Sequence, residues 1–322
     1  RQLVTDDAWR GAWSPVTANC LFDGEAYDAR LEQPGWDTPG HDRSQWQPAN
    51  VVPAPGGTLV ATMCDPQRIT ETIRPVGKTE PAPGTHVFDL GKNITGWARL
   101  RIHHATPGQT ITLRFGEAVH PDGSLNNASQ NAALQTDQYT CKGAAFEEWE
   151  PRFTFHGFQY VEITGAPDGL GLDSIDGRFV HMDVPQTGTF ACGNDLINHI
   201  HACTVQSQRC NLQMGVPTDD TQRPERQGWG GDAWAMANQT FYNFAAEGVF
   251  TKWLGDYRDQ QFQSGRVGMI TPQAGSEEDL VWSAAFPLIT WWHYLYTGDR
   301  RVLEENRPAL QRYFEFLKKC GS

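Results

Sequence analysis

A change of period near residue 185 constrains this chain more than any other feature of its sequence. Before it, apolar and polar residues alternate, as in Ala98-Arg99-Leu100-Arg101-Ile102, Thr110-Ile111-Thr112-Leu113-Arg114-Phe115 and Gln159-Tyr160-Val161-Glu162-Ile163. A period of two, bounded by Gly, Pro, Asn and Asp clusters, predicts half-buried antiparallel strands, and a series of them predicts a sandwich. Val87-Phe88-Asp89-Leu90 reads as a further strand leading into Gly91. After Gly188 the spacing turns helical. Asn194-Asp195 is placed to cap a helix bearing Leu196, Ile197, Ile200 and Cys203. Further helices are expected over 232–244, 247–263 and 279–296, with Asp299 capping a last one that carries Leu303, Leu310, Phe314 and Leu317. Long helices in succession are the pattern of an α-barrel or α-solenoid built from hairpins, and the absence of a sequence repeat argues against a regular array.

Pro53-Ala54-Pro55-Gly56-Gly57 reads as a connector between β modules. Three segments follow: 1–57 as the end of an accessory β domain, 58–185 as a β-sandwich, and 186–322 as the first part of a helical domain. About five helices are counted where a toroid of six hairpins needs about twelve, so an incomplete helical domain is expected. The chain opens on Arg1 and its first methionine is Met63, which points to processing or to a start partway into a longer protein.

Composition removes several classes of partner. A net charge of −12 without a basic stripe disfavours nucleic acid and anionic membrane surfaces. No apolar run approaches the roughly 20 residues that span a bilayer. The 7 cysteines are scattered without a C-x-x-C pair, which argues against a disulfide scaffold and a zinc site, and fits small buried thiols in a reducing compartment. No metal or cofactor is expected. The 12 tryptophans are many for this length; most pack cores, and any excess suits a sugar-binding cleft, where flat indoles cover the C–H faces of pyranose rings.

The densest set of chemically competent side chains runs from Val216 to Asp232. Pro217, Pro224 and three glycines predict a loop between two helices, and loops on a rigid scaffold are where catalysis concentrates. Asp219, Asp220, Glu225 and Asp232 supply four carboxylates, Arg223 and Arg226 two guanidiniums, and Trp229 an indole. Glycosidic cleavage needs one carboxylic acid that keeps its proton near neutral pH and a second carboxylate to activate water or attack. Crowded carboxylates raise the pKa of at least one of them. Composition alone favours a solvated loop whose Asp and Arg side chains pair locally. Other motifs are thin: there is no G-x-S-x-G elbow and no phosphate loop. His103-His104 reads as a strand edge, His156 as structural, and His199 and His201 do not share a helix face.

The loop from Pro217-Thr218-Asp219 through Arg226, with Gly228-Trp229 and Gly231-Asp232, resembles the signature P-T-D-C-P-Q-R-D-E-R-x-G-W-x-G-D of bacterial α-L-rhamnosidases (glycoside hydrolase family 78), departing from it at Asp220, Thr221 and Pro224. Phe88-Asp89-Leu90-Gly91-Lys92-Asn93-Ile94-Thr95-Gly96-Trp97 resembles the family's first sandwich strand, and Trp149-Glu150-Pro151-Arg152-Phe153-Thr154-Phe155-His156-Gly157-Phe158 another of its strands. Glu25 to Arg30 is similar to the end of the preceding accessory domain. The resemblance implies antiparallel β-sandwich modules followed by an incomplete (α/α)6 barrel, and an inverting hydrolysis of terminal α-L-rhamnosyl groups from a rhamnose-containing glycoside. It implies Glu225 as general acid. Asp219, Arg223 and Asp232 become pocket residues that bind sugar hydroxyls and tune the acid, with Asp220 sharing the part of Asp219. Trp229 and Trp282 become aromatic walls. The family's general base is a glutamate late in the barrel, and no residue here takes that role by resemblance. A bacterial cytoplasmic or periplasmic setting fits the family and the cysteine usage. Two other readings stay open: a non-catalytic carbohydrate-binding or scaffold fragment, and a related-barrel glycosidase acting on another sugar.

Overall fold

The computed structural model of the chain describes residues 4–273 and 275–320. Ten strands form one sheet: β1 (Val16–Cys20), β2 (Gly24–Asp28), β3 (Gln67–Ile73), β4 (Gly77–Ala82), β5 (Thr85–His103), β6 (Thr110–Gly116), β7 (Thr136–Thr140), β8 (Phe146–Trp149), β9 (His156–Thr164) and β10 (Ile175–Met182). Their order is β1-β2-β7-β6-β9-β5-β10-β3, with β4 and β8 also pairing with β5. The strands predicted at 87–90 and 98–102 are one 19-residue strand. Gly91 reads as a strand end in sequence, yet it and Gly96 adopt positive φ within β5 while its pairing resumes beyond them. At Gly96 a side chain is impossible, since a Cβ would lie 1.9 Å from the Arg178 carbonyl oxygen.

The antiparallel expectation needs one correction. β2 runs parallel to β7, with Ala26 opposite Gln138 and Tyr27 opposite Tyr139. Alternation marks a strand but does not name its partner, and here the partner lies more than a hundred residues away. This pairing carries the sheet across the connector at 53–57, so β1 and β2 share a sheet with the strands that follow it. The inward side chains of β5, β6 and β9, among them Ile94, Leu100, Leu113, Phe115, Val161 and Ile163, form the first core.

Among the described residues six α-helices follow: α1 (Asp195–Cys210), α2 (Gly230–Asn243), α3 (Glu247–Gln260), α4 (Leu280–Ser283), α5 (Ala285–Thr297) and α6 (Arg301–Cys320). Asn194 caps α1 as expected, its Oδ1 accepting from the main-chain N–H of Leu196 and Ile197. The helix expected over 279–296 is two, α4 and α5, stepping at Ala284, with Asp279 capping the first. Val249, Phe250, Trp253 and Tyr257 of α3 pack with Phe286 and Ile289 of α5 and Tyr313 of α6 in a second core. Met182 and Val184, at and just past the end of the last strand, belong to this second core, which ties the two halves together. Gln213 strengthens the seam, donating from Nε2 to the carbonyls of Val180 and Cys210 at 3.1 and 2.8 Å.

Candidate active site

The loop between α1 and α2 is braced at both ends. Leu212–Gln213 pairs antiparallel with Val216–Pro217 around Met214 and Gly215, both at positive φ. Asp219 and Gln227 then close the following stretch reciprocally: the Asp219 N–H donates to the Gln227 carbonyl at 3.1 Å, and the Gln227 N–H to Asp219 Oδ1 at 3.0 Å. Asn211 Nδ2 adds a bond to the Asp219 carbonyl at 3.1 Å. No helix forms between, as the prolines predict, and the side chains of 220–226 are displayed on a closed loop.

Arg226 anchors that loop to the sheet half. It is buried at positive φ, its Nη1 donating to the carbonyls of Leu21 and Phe155, and its guanidinium lies 4.9 Å from the centre of the Phe155 ring. Burial pulls its pKa down to about 10 against the opposing pull of the Asp220 charge. Gly157 of β9 permits the close approach, since a Cβ there would stand 2.5 Å from Thr221 Oγ1.

The side chains singled out in the sequence meet in one place. Asp219, Asp220, Arg223, Glu225, Trp229, Asp232 and Trp282 all line a single open cavity of about 590 Å³ at the junction of sheet and helices. Carboxylate oxygens of Asp219, Asp220 and Glu225 lie within 4.8 Å of one another. Burial first, then the Asp220 charge and the hydrogen bond with Glu225, push the Asp219 carboxyl up to about 7, against the Gln227 N–H that favours its ionised form. A proton is thus retained toward neutrality within hydrogen-bond reach of Glu225. Asp220 is also raised, by burial and then by the Glu225 charge, with Arg223 opposing at 3.6 Å from Nε to Oδ2. The Trp229 indole N–H, on the cavity lining, is buried without a hydrogen-bond partner among the described residues.

Glycine shapes the far side. A Cβ on Gly231 would lie 2.6 Å from the Trp282 indole, so this indole rests directly on the first turn of α2. Asp232 stands in that turn, where the helix dipole favours negative charge. The Asp219, Asp220 and Glu225 trio is the group among the described residues with donor atoms close enough for a metal ion.

Several lining residues were not singled out in sequence. Gln206 and Asn211 come from the end of α1, Asn93 from β5, and Glu117 follows β6. Asn93 sits inside the Phe88 to Trp97 motif but reads there only as strand, and Glu117 carries no sequence signal. Arg226 was visible as the second guanidinium of the loop. His156 is structural as expected: fully buried, stacked 4.2 Å from Phe115 and 3.1 Å from both Asp137 oxygens.

A β-sheet half and a helical half meet at a carboxylate- and indole-lined cavity, and known proteins show the family to which this arrangement belongs. Residues 1–71 match the alpha-L-rhamnosidase N-terminal domain, 79–181 the bacterial alpha-L-rhamnosidase concanavalin-like domain, and 185–321 the bacterial alpha-L-rhamnosidase 6 hairpin glycosidase domain. The chain belongs to the bacterial alpha-L-rhamnosidase family. It is 38% identical to an alpha-L-rhamnosidase of Streptomyces avermitilis over 99% of its own length and 31% of that relative. It is 28% identical to one of Formosa agariphila over 97% of its length and 34% of that relative. The chain therefore spans about a third of the length of the curated relatives it matches. Among solved structures, the alpha-L-rhamnosidase from Dictyoglumus thermophilum superposes with a TM-score of 0.96 at 43% identity, covering 98% of this chain and 36% of that one. The Streptomyces avermitilis enzyme complexed with L-rhamnose superposes at 0.93 with 38% identity, covering 98% and 31%.

Proposed function

We propose that this chain carries the acid side of a glycoside hydrolase site that releases terminal α-L-rhamnose with inversion. The supporting observation is the company Glu225 keeps: it shares one cavity with Asp219, whose carboxyl is held up to about 7, and with two indoles. Glu225 donates its proton to the glycosidic oxygen as the bond to the anomeric carbon breaks, and the leaving group departs as an alcohol. Asp219, hydrogen-bonded to Glu225, keeps a proton in the pair at working pH and tunes the acid. Asp232 and Asp220 add negative charge that stabilises the oxocarbenium-like transition state. Asp220 and Arg223 bind sugar hydroxyls, and Trp229 and Trp282 wall the ring. Water adds to the opposite face and gives its proton to a second carboxylate, which inversion requires roughly 6.5–9.5 Å from the acid. The family template assigns that base to the later part of the barrel. On the same reading, 1–57 is the end of an accessory β domain whose strands β1 and β2 join the sheet of the 58–185 β domain, and 186–322 is the first part of an (α/α)6 barrel.

The test is Glu225→Gln in the protein that carries this chain. Rhamnose release from substrates with poor leaving groups should fall by orders of magnitude, and less from activated aryl rhamnosides, which need little protonation. Near-normal turnover on the poor leaving groups would remove Glu225 from the acid role. A panel of aryl glycosides run alongside should favour α-L-rhamnoside; preference for another sugar would keep the chemistry and change the substrate.

A further inference from the structure

Beside the acidic loop, the cavity is also lined by residues of the sheet half. In the β5–β9 ladder Asp89 stands opposite Tyr160 and Ile94 opposite Phe158, so residues 90–93 of β5 face Gln159 alone. This bulge is held by Asp89, whose Oδ1 accepts from the Gly91 N–H at 2.7 Å and from Gln159 Nε2 at 2.9 Å. Bulges re-aim the side chains they carry and recur beside active sites. Here the bulge brings Asn93 to the cavity lining. Asn93 Nδ2 donates to Glu117 Oε1 at 2.7 Å, and its carbonyl accepts from Gln206 Nε2 at 2.8 Å. Glu117 and Gln206 line the same cavity, so the Glu117 carboxylate is held by Asn93, whose own carbonyl is tied to α1 through Gln206.

Three observations say what this lining receives. The cavity, at about 590 Å³, lies within the range of about 300–1,000 Å³ typical of ligand pockets and is larger than one pyranose ring fills. Its indoles, Trp229 and Trp282, come from the helical half, whereas Glu117 and Asn93 come from the sheet half, so aromatic stacking and this carboxylate are supplied by different parts of the chain. An ionised carboxylate only accepts hydrogen bonds, and two neighbouring hydroxyls on a second ring match its two oxygens. Asp219, Asp220, Glu225, Asp232 and Glu117 face a single guanidinium, Arg223, in the lining, so a neutral ring is favoured over a uronate.

We propose that Glu117, positioned by Asn93 and Gln206, is a specificity-determining residue that binds vicinal hydroxyls of a neutral hexopyranose on the leaving-group side of the scissile bond. This rests on the glycosidase reading above. The experiment compares wild type with Glu117→Gln and Asn93→Ala, in the protein that carries this chain, on an aryl α-L-rhamnoside and on a rhamnosyl-glucose disaccharide. The aryl group lacks the hydroxyls that Glu117 would bind. In Glu117→Gln the ratio of kcat/KM for disaccharide over aryl glycoside should fall about tenfold, carried by KM, with a smaller fall of the same kind in Asn93→Ala. A merely structural role would lower both substrates together and leave the ratio in place, and that result overturns the proposal. So does an unchanged KM for the disaccharide. If wild type releases rhamnose from neither substrate, the glycosidase reading itself fails and takes this one with it. Glu117→Gln preserves size and an acceptor for Asn93, and a matching melting temperature shows that the fold is intact.

Discussion

The two halves of the molecule use apolar pattern differently. In β5, β6 and β9 the alternation names the buried side chains: Leu100, Leu113, Phe115, Val161 and Ile163 are all fully enclosed. On α1 the apolar stripe is as regular in its spacing, yet Leu196, Ile197 and Ile200 are 67%, 46% and 56% exposed, while Val205 and Gln208 of the same helix face inward. In the sheet half, strands far apart in sequence bring their apolar faces together in one core, so alternation and burial coincide. A helix stripe states that a face is apolar and says nothing of what lies over it. Sequence pattern therefore identifies both element types, but burial follows only where the neighbouring layer is present.

The sharpest way to break this contrast is in the sheet. Leu100→Ala removes a fully enclosed side chain from the first core, and the cost should be about 2–5 kcal/mol by chemical denaturation. A loss under about 1 kcal/mol would mean the sheet core is loosely packed and the contrast unreal.

At the seam between the halves the expected effect depends on pH. The Asp219 carboxyl is raised from 3.8 to about 7 in the folded chain, so between these values the native state holds a proton that the unfolded state has released. Stability then falls as pH rises through this window, by the sign of the proton difference. Asp219→Asn removes the group, so the variant's melting temperature should gain on wild type between about pH 4 and pH 8, by an amount worth a few kcal/mol at most. A constant difference between variant and wild type across that range would show that Asp219 titrates normally.

The candidate site was more legible than its surroundings, for a reason visible in the residues. Asp219, Asp220, Arg223, Glu225, Trp229 and Asp232 lie within fourteen consecutive positions, so the loop that carries them all could be read as a unit. Trp282 came only through resemblance, because it reaches the cavity by resting on Gly231 from another helix. Glu117 was invisible, since its partner Asn93 lies in the bulge at 90–93, which a period-two pattern interrupted by Gly91 presents as a strand end. The parallel β2–β7 pair was missed on the same ground. Local sequence encodes the turn and the strand, while register and partner are set by contacts between distant segments.

The smallest expected effect sharpens the contrast most. Ile200→Ser on α1 exchanges an apolar side chain that is 56% exposed in this chain, and exposed substitutions away from caps and networks usually change stability by less than about 0.5 kcal/mol. Serine is also a modestly weaker helix former than leucine or alanine, close to isoleucine itself, so propensity adds little. The measurement is a denaturant series on the 322-residue chain and on any longer protein that carries it. A cost under about 0.5 kcal/mol leaves the stripe of α1 facing solvent, as the structure has it. A cost of about 1 kcal/mol or more in the longer protein alone would mean that further chain covers this face, and the helical half would then obey the same rule of burial as the sheet.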